Sequence, residues 1–202
     1  MEHHIPLTKD SLRSALRSDD TEIWELAAEQ LAIEGVKDAI PDLAGLLDLK
    51  SEPIERIILA NSLAQLGDER GVQTLRAYCD DKTAQMGDRL SAANHLLRYQ
   101  PKSCPETLIE GLEDNVYRGQ ALGIIPNFKE LSPTESAQVR ALLLNSLSDQ
   151  DFATRLQAAQ TTYALGDVSA IPALQAALAK ETKPIVRSAM EQSLKALQSK
   201  QP

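Results

Sequence analysis

Aromatic residues make up only 3% of this 202-residue chain. Its core must therefore be built from Leu, Ile, Val and Ala. No run of 18 apolar residues occurs, which excludes a transmembrane helix. The three histidines, His3, His4 and His95, stand at no spacing that holds zinc, and no metal is expected. The nine glycines stand singly, so no Gly-rich loop cradles a phosphate, and no cofactor is expected. The two cysteines, Cys79 and Cys104, have no local His or acid that would make either a nucleophile. The start, Met1-Glu2-His3-His4-Ile5-Pro6, lacks the basic residues and apolar run of a signal peptide. The expectation is a cytoplasmic protein with two reduced thiols. No alternation of apolar and polar residues is long enough to argue for a sheet.

Positive charge is also scarce. The net charge is −8, and it is uneven. Residues 1–100 carry 18 acidic and 11 basic side chains, a balance of −7; residues 101–202 carry 11 and 10, a balance of −1. Nonspecific nucleic-acid binding needs clustered Lys and Arg, so nucleic acid is not an expected partner. The acidic half has two readings: it keeps the protein soluble, or it steers a partner with a basic surface.

What the chain does have is a repeat. An Arg stands eleven positions before a helix-ending site in five of six stretches. The pairs are Trp24/Gly35, Arg56/Gly67, Arg89/Gln100, Arg118/Lys129, Arg155/Gly166 and Arg187/Gln198. Successive stretches begin 32, 33, 29, 37 and 32 residues apart. Small or apolar residues follow three and four positions on: Ala27 and Ala28, Leu59 and Ala60, Ala92 and Ala93, Ala121, Ala158 and Ala159. Seven on come Leu31, Leu63, Leu96, Ile125, Thr162 and Leu194; ten on come Glu34, Leu66, Tyr99, Phe128, Leu165 and Leu197. Steps of 3, 4, 7 and 10 trace one helix face. A repeat of this length buries its apolar face by stacking on its neighbours, so the reading is one solenoid domain over residues 1–202.

A second helix follows each first one. Leu66-Gly67-Asp68, Leu165-Gly166-Asp167 and, more weakly, Glu34-Gly35-Val36 read as helix ends with Gly in the left-handed conformation. Ile40-Pro41 and Ile171-Pro172 then open second helices, with Pro in the first turn. Ser103-Cys104-Pro105-Glu106 and Ser132-Pro133-Thr134-Glu135 have capping-box spacing. The units run roughly 20–50, 51–82, 85–114, 115–149 and 150–181, with a half-unit at 182–199.

The pattern Arg-x-x-Ala-Ala, Leu-Gly-Asp and Ala-Ile-Pro-x-Leu resembles HEAT-like repeats of the short bacterial kind, also found in phycobilin lyase subunits. Arg155 to Leu178 and Arg56 to Leu75 carry it most clearly. The resemblance implies an all-α, right-handed α-α superhelix of about five helix pairs plus terminal helices. It leaves activity open, because repeat folds host many functions. The unit at Arg118 departs from the pattern: it lacks a Gly-Asp turn and has a longer linker, Asn127 to Ser132. HEAT-repeat deoxyhypusine hydroxylases bind iron through His-Glu dipeptides, which this chain lacks. HEAT-like DNA glycosylases use a basic groove, which is not evident here.

The ladder of Arg56, Arg89, Arg118, Arg155 and Arg187 could line an anion site. The structural reading is preferred: each fork pairs with acids near the intra-repeat turn, such as Asp38, Asp68 and Asp167. Asp48, Asp80, Asp114 and Asp149 recur near the ends of second helices, where they would cap the next helix. His95 reads as half-buried structure. Trp24 takes the Arg position in the first unit and reads as packing against an entering helix, Leu7 to Arg17, although Trp is common in binding hot spots. In the family, second helices line the concave face. Outward positions on them are Asp42 and Gly45, then Thr74, Arg76 and Ala77, then Glu106, Glu110, Gln138, Asn145, Gln175 and Ala176. Of these, Asp42, Thr74, Arg76, Glu106, Glu110, Gln138 and Gln175 are the candidate partner contacts. The expected function is noncatalytic binding of another protein, as an adaptor, inhibitor or assembly factor. The alternative is a subunit of a phycobilin-lyase-like or chromophore-handling complex, with a HEAT-like DNA-repair glycosylase as a less favoured third reading.

Overall fold

The computed structural model describes residues 8–200. His3, His4 and Leu7 lie outside them. Among the described residues all regular structure is helical: twelve α-helices and three short 3-10 turns. None of the helices is long and apolar enough to cross a membrane. The chain divides into two compact units at Gln100 and Pro101, between the two helices of the third repeat.

The first unit holds α1 (Lys9–Ala15), α2 (Thr21–Ile33), α3 (Ile40–Leu49), α4 (Pro53–Gln65), α5 (Glu69–Asp80) and α6 (Met86–Leu96). Here α2, α4 and α6 carry the repeated first-helix pattern. Helix α1 packs on α2, α2 on α4, α3 on α4, and α5 on both α4 and α6. The contact stripe is the small-residue one: Ala27, Ala28, Leu59, Ala60, Ala92 and Ala93 are fully buried. Trp24 is fully buried in the same cluster as Leu12 and Leu16, so it packs against α1. The Lys50 ammonium lies 4.2 Å from the centre of its ring.

Turn chemistry explains where these helices stop. Gly35 and Gly67 have φ of +66° and +89°, a region open to Gly at little cost. The Asp68 N–H then bonds to the Leu63 carbonyl at 2.9 Å and the Val36 N–H to the Leu31 carbonyl at 3.0 Å, which closes each helix end. Asp68 restarts the chain: its carboxylate accepts from the Arg70 N–H at 3.0 Å and caps α5.

The second unit holds α7 (Pro105–Glu113), α8 (Arg118–Ile124), α9 (Pro133–Ser146), α10 (Phe152–Leu165), α11 (Ile171–Leu178) and α12 (Pro184–Gln198). Its first helices are α8, α10 and α12. Ala121, Ala158 and Ala159 are again fully buried. Buried hydroxyls link these helices directly. Thr161 donates to the Leu122 carbonyl at 2.9 Å, and Ser193 donates to the Ala159 carbonyl at 2.7 Å.

Three expectations meet a different outcome. The capping box forms at Ser132 and Glu135, but not at Ser103. Cys104 sits at the start of α7 with φ +62°, one residue too late for the Ser103 spacing. Leu165, placed on the buried stripe, is 43% exposed: it is the last residue of α10 and lines an open cleft. Among the described residues no cysteine is free, so the expectation of two reduced thiols does not hold. The irregular fourth repeat is visible as a first helix of only seven residues, α8. Pro126 carries no N–H to continue it, and the chain passes through a 3-10 turn, Ile125–Asn127.

Candidate binding surface

The ladder arginines are the most regular side chains in the fold, and their acceptors are mainly backbone. Arg56 donates to the carbonyls of Leu47 and Lys50 at 2.6 and 3.0 Å. Arg89 reaches the Cys79 carbonyl at 3.4 Å, Arg118 the Leu112 carbonyl at 2.8 Å, and Arg187 the Leu178 carbonyl at 3.3 Å. Arg155 donates to the carbonyls of Asp149 and Gln150 at 2.9 and 3.0 Å. Each guanidinium thus closes the C-terminal end of the preceding second helix, or the turn after it. Carbonyls there lack intrahelical donors, and the helix dipole favours positive charge.

The acids placed opposite the ladder are engaged elsewhere. Asp68 bonds to Arg70 in its own turn at 2.7 Å, and Asp167 pairs with Arg140 at 3.0 Å. Arg187 pairs with Glu191 on its own helix at 3.1 Å, and two other carboxylates meet the ladder from just beyond the ends of second helices. Arg118 pairs with Asp149 and Arg155 with Glu181. Asp114 accepts from the N–H groups of Val116 and Tyr117 at 2.7 and 3.1 Å in the turn before α8. The N-caps of α4, α6, α8 and α10, however, are Glu52, Gln85, Tyr117 and Asp151, so Asp48, Asp80, Asp114 and Asp149 stand too early in the chain to cap the next helices as expected.

Glu181 is the strongest of these groups. Its side chain is 1% exposed. Both oxygens accept from Arg155, at 2.6 and 3.0 Å, and one also accepts from the N–H groups of Thr182 and Lys183. The Arg155 fork foremost, with those two amides, outweighs burial and holds the carboxyl down to about 2. A depressed folded value means the stabilisation is complete above pH 5 and is lost as pH falls through 4.5 towards 2. The shift is worth on the order of 3 kcal/mol. Unfolding free energy measured by urea titration at pH 5, 4 and 3 should fall less steeply with pH for Glu181→Gln than for the wild-type protein.

The candidate partner contacts lie on second helices in both units, with their side chains distributed among separate places. In the first unit, Asp42 and Gly45 on α3 line an open groove of about 580 Å³ with Arg13, Arg17, Leu46 and Leu49. Asp42 is ion-paired with Arg13 at 2.7 Å. Thr74 and Ala77 on α5 line a second groove of about 330 Å³ with Arg56 and Tyr78. Arg76 is exposed and bonds to Gln100. In the second unit Glu106, Gln138 and Gln175 are exposed, and Glu110 is half-buried. Gln138 reaches Glu113 at 3.4 Å.

One feature of the second unit was not anticipated from the sequence. A cleft of about 190 Å³ opens between the chain after α8, α9 and the end of α10, lined by Ile125, Phe128, Val139, Leu143 and Leu165, with Arg140 and Asp167 also in its wall. It lies beside the irregular repeat, where α8 ends early and Phe128 and Leu131 fill only part of the space. The missing Gly-Asp turn after Arg118 is the signal that could have located it. His95 is half-buried, and burial, then the Arg98 charge, hold its imidazole below the ordinary value. That is the environment of a neutral structural histidine.

Residues 105–195 match the HEAT repeats family, and residues 55–81 match the PBS lyase HEAT-like repeat. No curated protein matches the sequence. Among solved structures the chain is similar to the complex of CpcE and CpcF of phycocyanin lyase from Nostoc sp. PCC7120. Identity there is 17%, with 97% of each chain covered and a TM-score of 0.47. It is also similar to human deoxyhypusine hydroxylase in complex with glycerol, at 16% identity over 95% of this chain and 85% of that one, with a TM-score of 0.39. The family matches fall one in each unit, on stacked helices whose ladder arginines close the preceding helix ends. The chain is a HEAT-like repeat protein.

Proposed function

We propose that the chain is a noncatalytic module that binds another protein along its second helices. The observation that carries this reading is the placement of the outward second-helix residues. Asp42 and Gly45, and Thr74 and Ala77, line two open grooves in the first unit. Arg76, Glu106, Gln138 and Gln175 are exposed polar side chains on rigid helices. Grooves flanked by small and polar groups suit an extended or helical segment of a partner. The first unit's groove along α3 holds Arg13, Arg17 and Lys50 with Asp19 and Asp42. Its charge is mixed, so the acidic excess of residues 1–100 lies elsewhere.

The test is capture from a native lysate at low salt by the tagged protein and by a Thr74→Arg, Gln138→Arg, Gln175→Arg variant. A single stoichiometric protein retained by the wild type and lost by the variant, at equal helical content, supports the reading. Equal retention by both, or recovery of nucleic acid alone, overturns it. The PBS lyase HEAT-like match at residues 55–81 favours one second reading, a subunit that handles a bilin-carrying protein. A change in visible absorbance when the purified protein is mixed with a free bilin would favour that reading.

A further inference from the structure

Helix α2 carries three of the first unit's acids, Glu22, Glu25 and Glu29, and its outer face is exposed. Glu22, Leu26, Glu29 and Ile33 follow one another at steps of 4, 3 and 4, so they form one stripe. That stripe lies opposite the buried one of Trp24, Ala27, Ala28 and Leu31. Leu26 is 51% and Ile33 67% exposed, while Glu22 and Glu29 are exposed beside them. No Lys or Arg stands on α2. Lys50, the nearby cation, is turned onto the Trp24 ring and bonds to Glu55 at 3.0 Å. Glu25, at the side of the stripe, has its carboxyl raised above its usual value. Burial is the largest cause, followed by the charges of Glu55 and Glu29; Lys50 opposes them, and Glu22 adds a smaller push. With Glu22 and Glu29 on the stripe and no basic residue on the helix, this face is negative.

Leu26 and Ile33 stand seven residues, about two helical turns, apart on one side of α2, with Glu22 and Glu29 beside them. We propose that the outer face of α2 docks a basic amphipathic helix of a partner protein. Apolar side chains on successive turns of that helix would cover Leu26 and Ile33, and Lys or Arg beside them would pair with Glu22 and Glu29. Charge complementarity selects this occupant: a second α2 face would bring Glu22 and Glu29 against like charges. This surface is separate from the second helices and stands or falls without them.

The probe is a fluorescein-labelled 14-residue peptide of Leu and Lys in amphipathic helical order, followed by fluorescence anisotropy at about 0.1 M salt. Leu26→Ser with Ile33→Ser should weaken binding at least tenfold without changing net charge. Glu22→Gln with Glu29→Gln should weaken it at least fivefold and flatten its salt dependence. A peptide of the same composition in scrambled order should bind at least tenfold more weakly than the ordered one. The Thr74→Arg, Gln138→Arg, Gln175→Arg variant should bind the peptide as the wild type does. Binding by the Leu26→Ser, Ile33→Ser variant within twofold of wild type would overturn the proposal, because charge alone would then explain it. A wild-type dimer in sedimentation that this variant converts to monomer would also overturn it, by assigning the face to a second copy.

Discussion

Arg155→Ala should melt about 10 °C below the wild-type protein, followed by circular dichroism at 222 nm. Removing this side chain leaves the Glu181 carboxylate buried without its counter-ion and frees the carbonyls of Asp149 and Gln150. Breaking a buried pair from one side costs about 3–5 kcal/mol, and each kcal/mol shifts the midpoint by roughly 2–4 °C in a chain of this size. Arg155→Lys should recover little of the loss, since an ammonium cannot donate to two carboxylate oxygens and two carbonyls from one plane. Replacing both partners, as Arg155→Met with Glu181→Leu, should cost less than Arg155→Ala alone, because no charge is left stranded. A melting point for Arg155→Ala within 2 °C of wild type would mean that the fork does not hold this repeat together.

Gly71→Ala should also be damaging, by a different physical route. Gly71 faces α4 from within α5, and a Cβ there would lie 2.3 Å from the Ala60 carbonyl oxygen and 2.4 Å from the Ala64 nitrogen. Both are backbone atoms, so no side-chain rotation relieves the overlap and the two helices must part. Overpacking of this kind costs about 1–3 kcal/mol and sometimes more, against a gain of about 1 kcal/mol from the better helix propensity of Ala. The net loss should be about 2 kcal/mol in urea unfolding, since full separation of α4 from α5 is the severe end of that range. Gly45, also within a second helix, is the control. Nothing lies within 4 Å of its added Cβ, so Gly45→Ala should leave stability unchanged or raise it by up to about 1 kcal/mol. A Gly71→Ala protein as stable as Gly45→Ala would contradict the close approach of α4 and α5.

These two residues also mark what could be read in the sequence and what could not. Arg155 was legible as a rung because it recurs, and so were the alanines at its third and fourth following positions, Ala158 and Ala159. Its acceptors were not. Every residue has a carbonyl, so nothing in the sequence distinguishes those of Asp149 and Gln150. Glu181 lies 26 residues away and outside the repeated positions. The Asp residues of the Gly-Asp turns were the visible acids, but Asp68 and Asp167 cap the helix and turn that follow them, and each has an Arg of its own. Gly71 carried no sign of its role, since Gly45 looks the same in sequence and meets open space. The hydroxyl bonds of Thr161 and Ser193 to neighbouring helices were hidden for a related reason: small residues on a stacking stripe look alike until the partner carbonyl is located. The second-helix positions came from periodicity and are found on the solvent side or lining grooves. Their separation into distinct grooves follows from three-dimensional packing.

The most direct test of partner binding by the second helices is hydroxyl-radical footprinting of the protein with and without its captured partner. The account predicts loss of labelling at Leu49 and Tyr78, which line the grooves along α3 and α5. Tyr163 on α10 and Ile185 on α12, exposed on first helices, should label as before. Protection of Tyr163 and Ile185 with Leu49 and Tyr78 unchanged would contradict it.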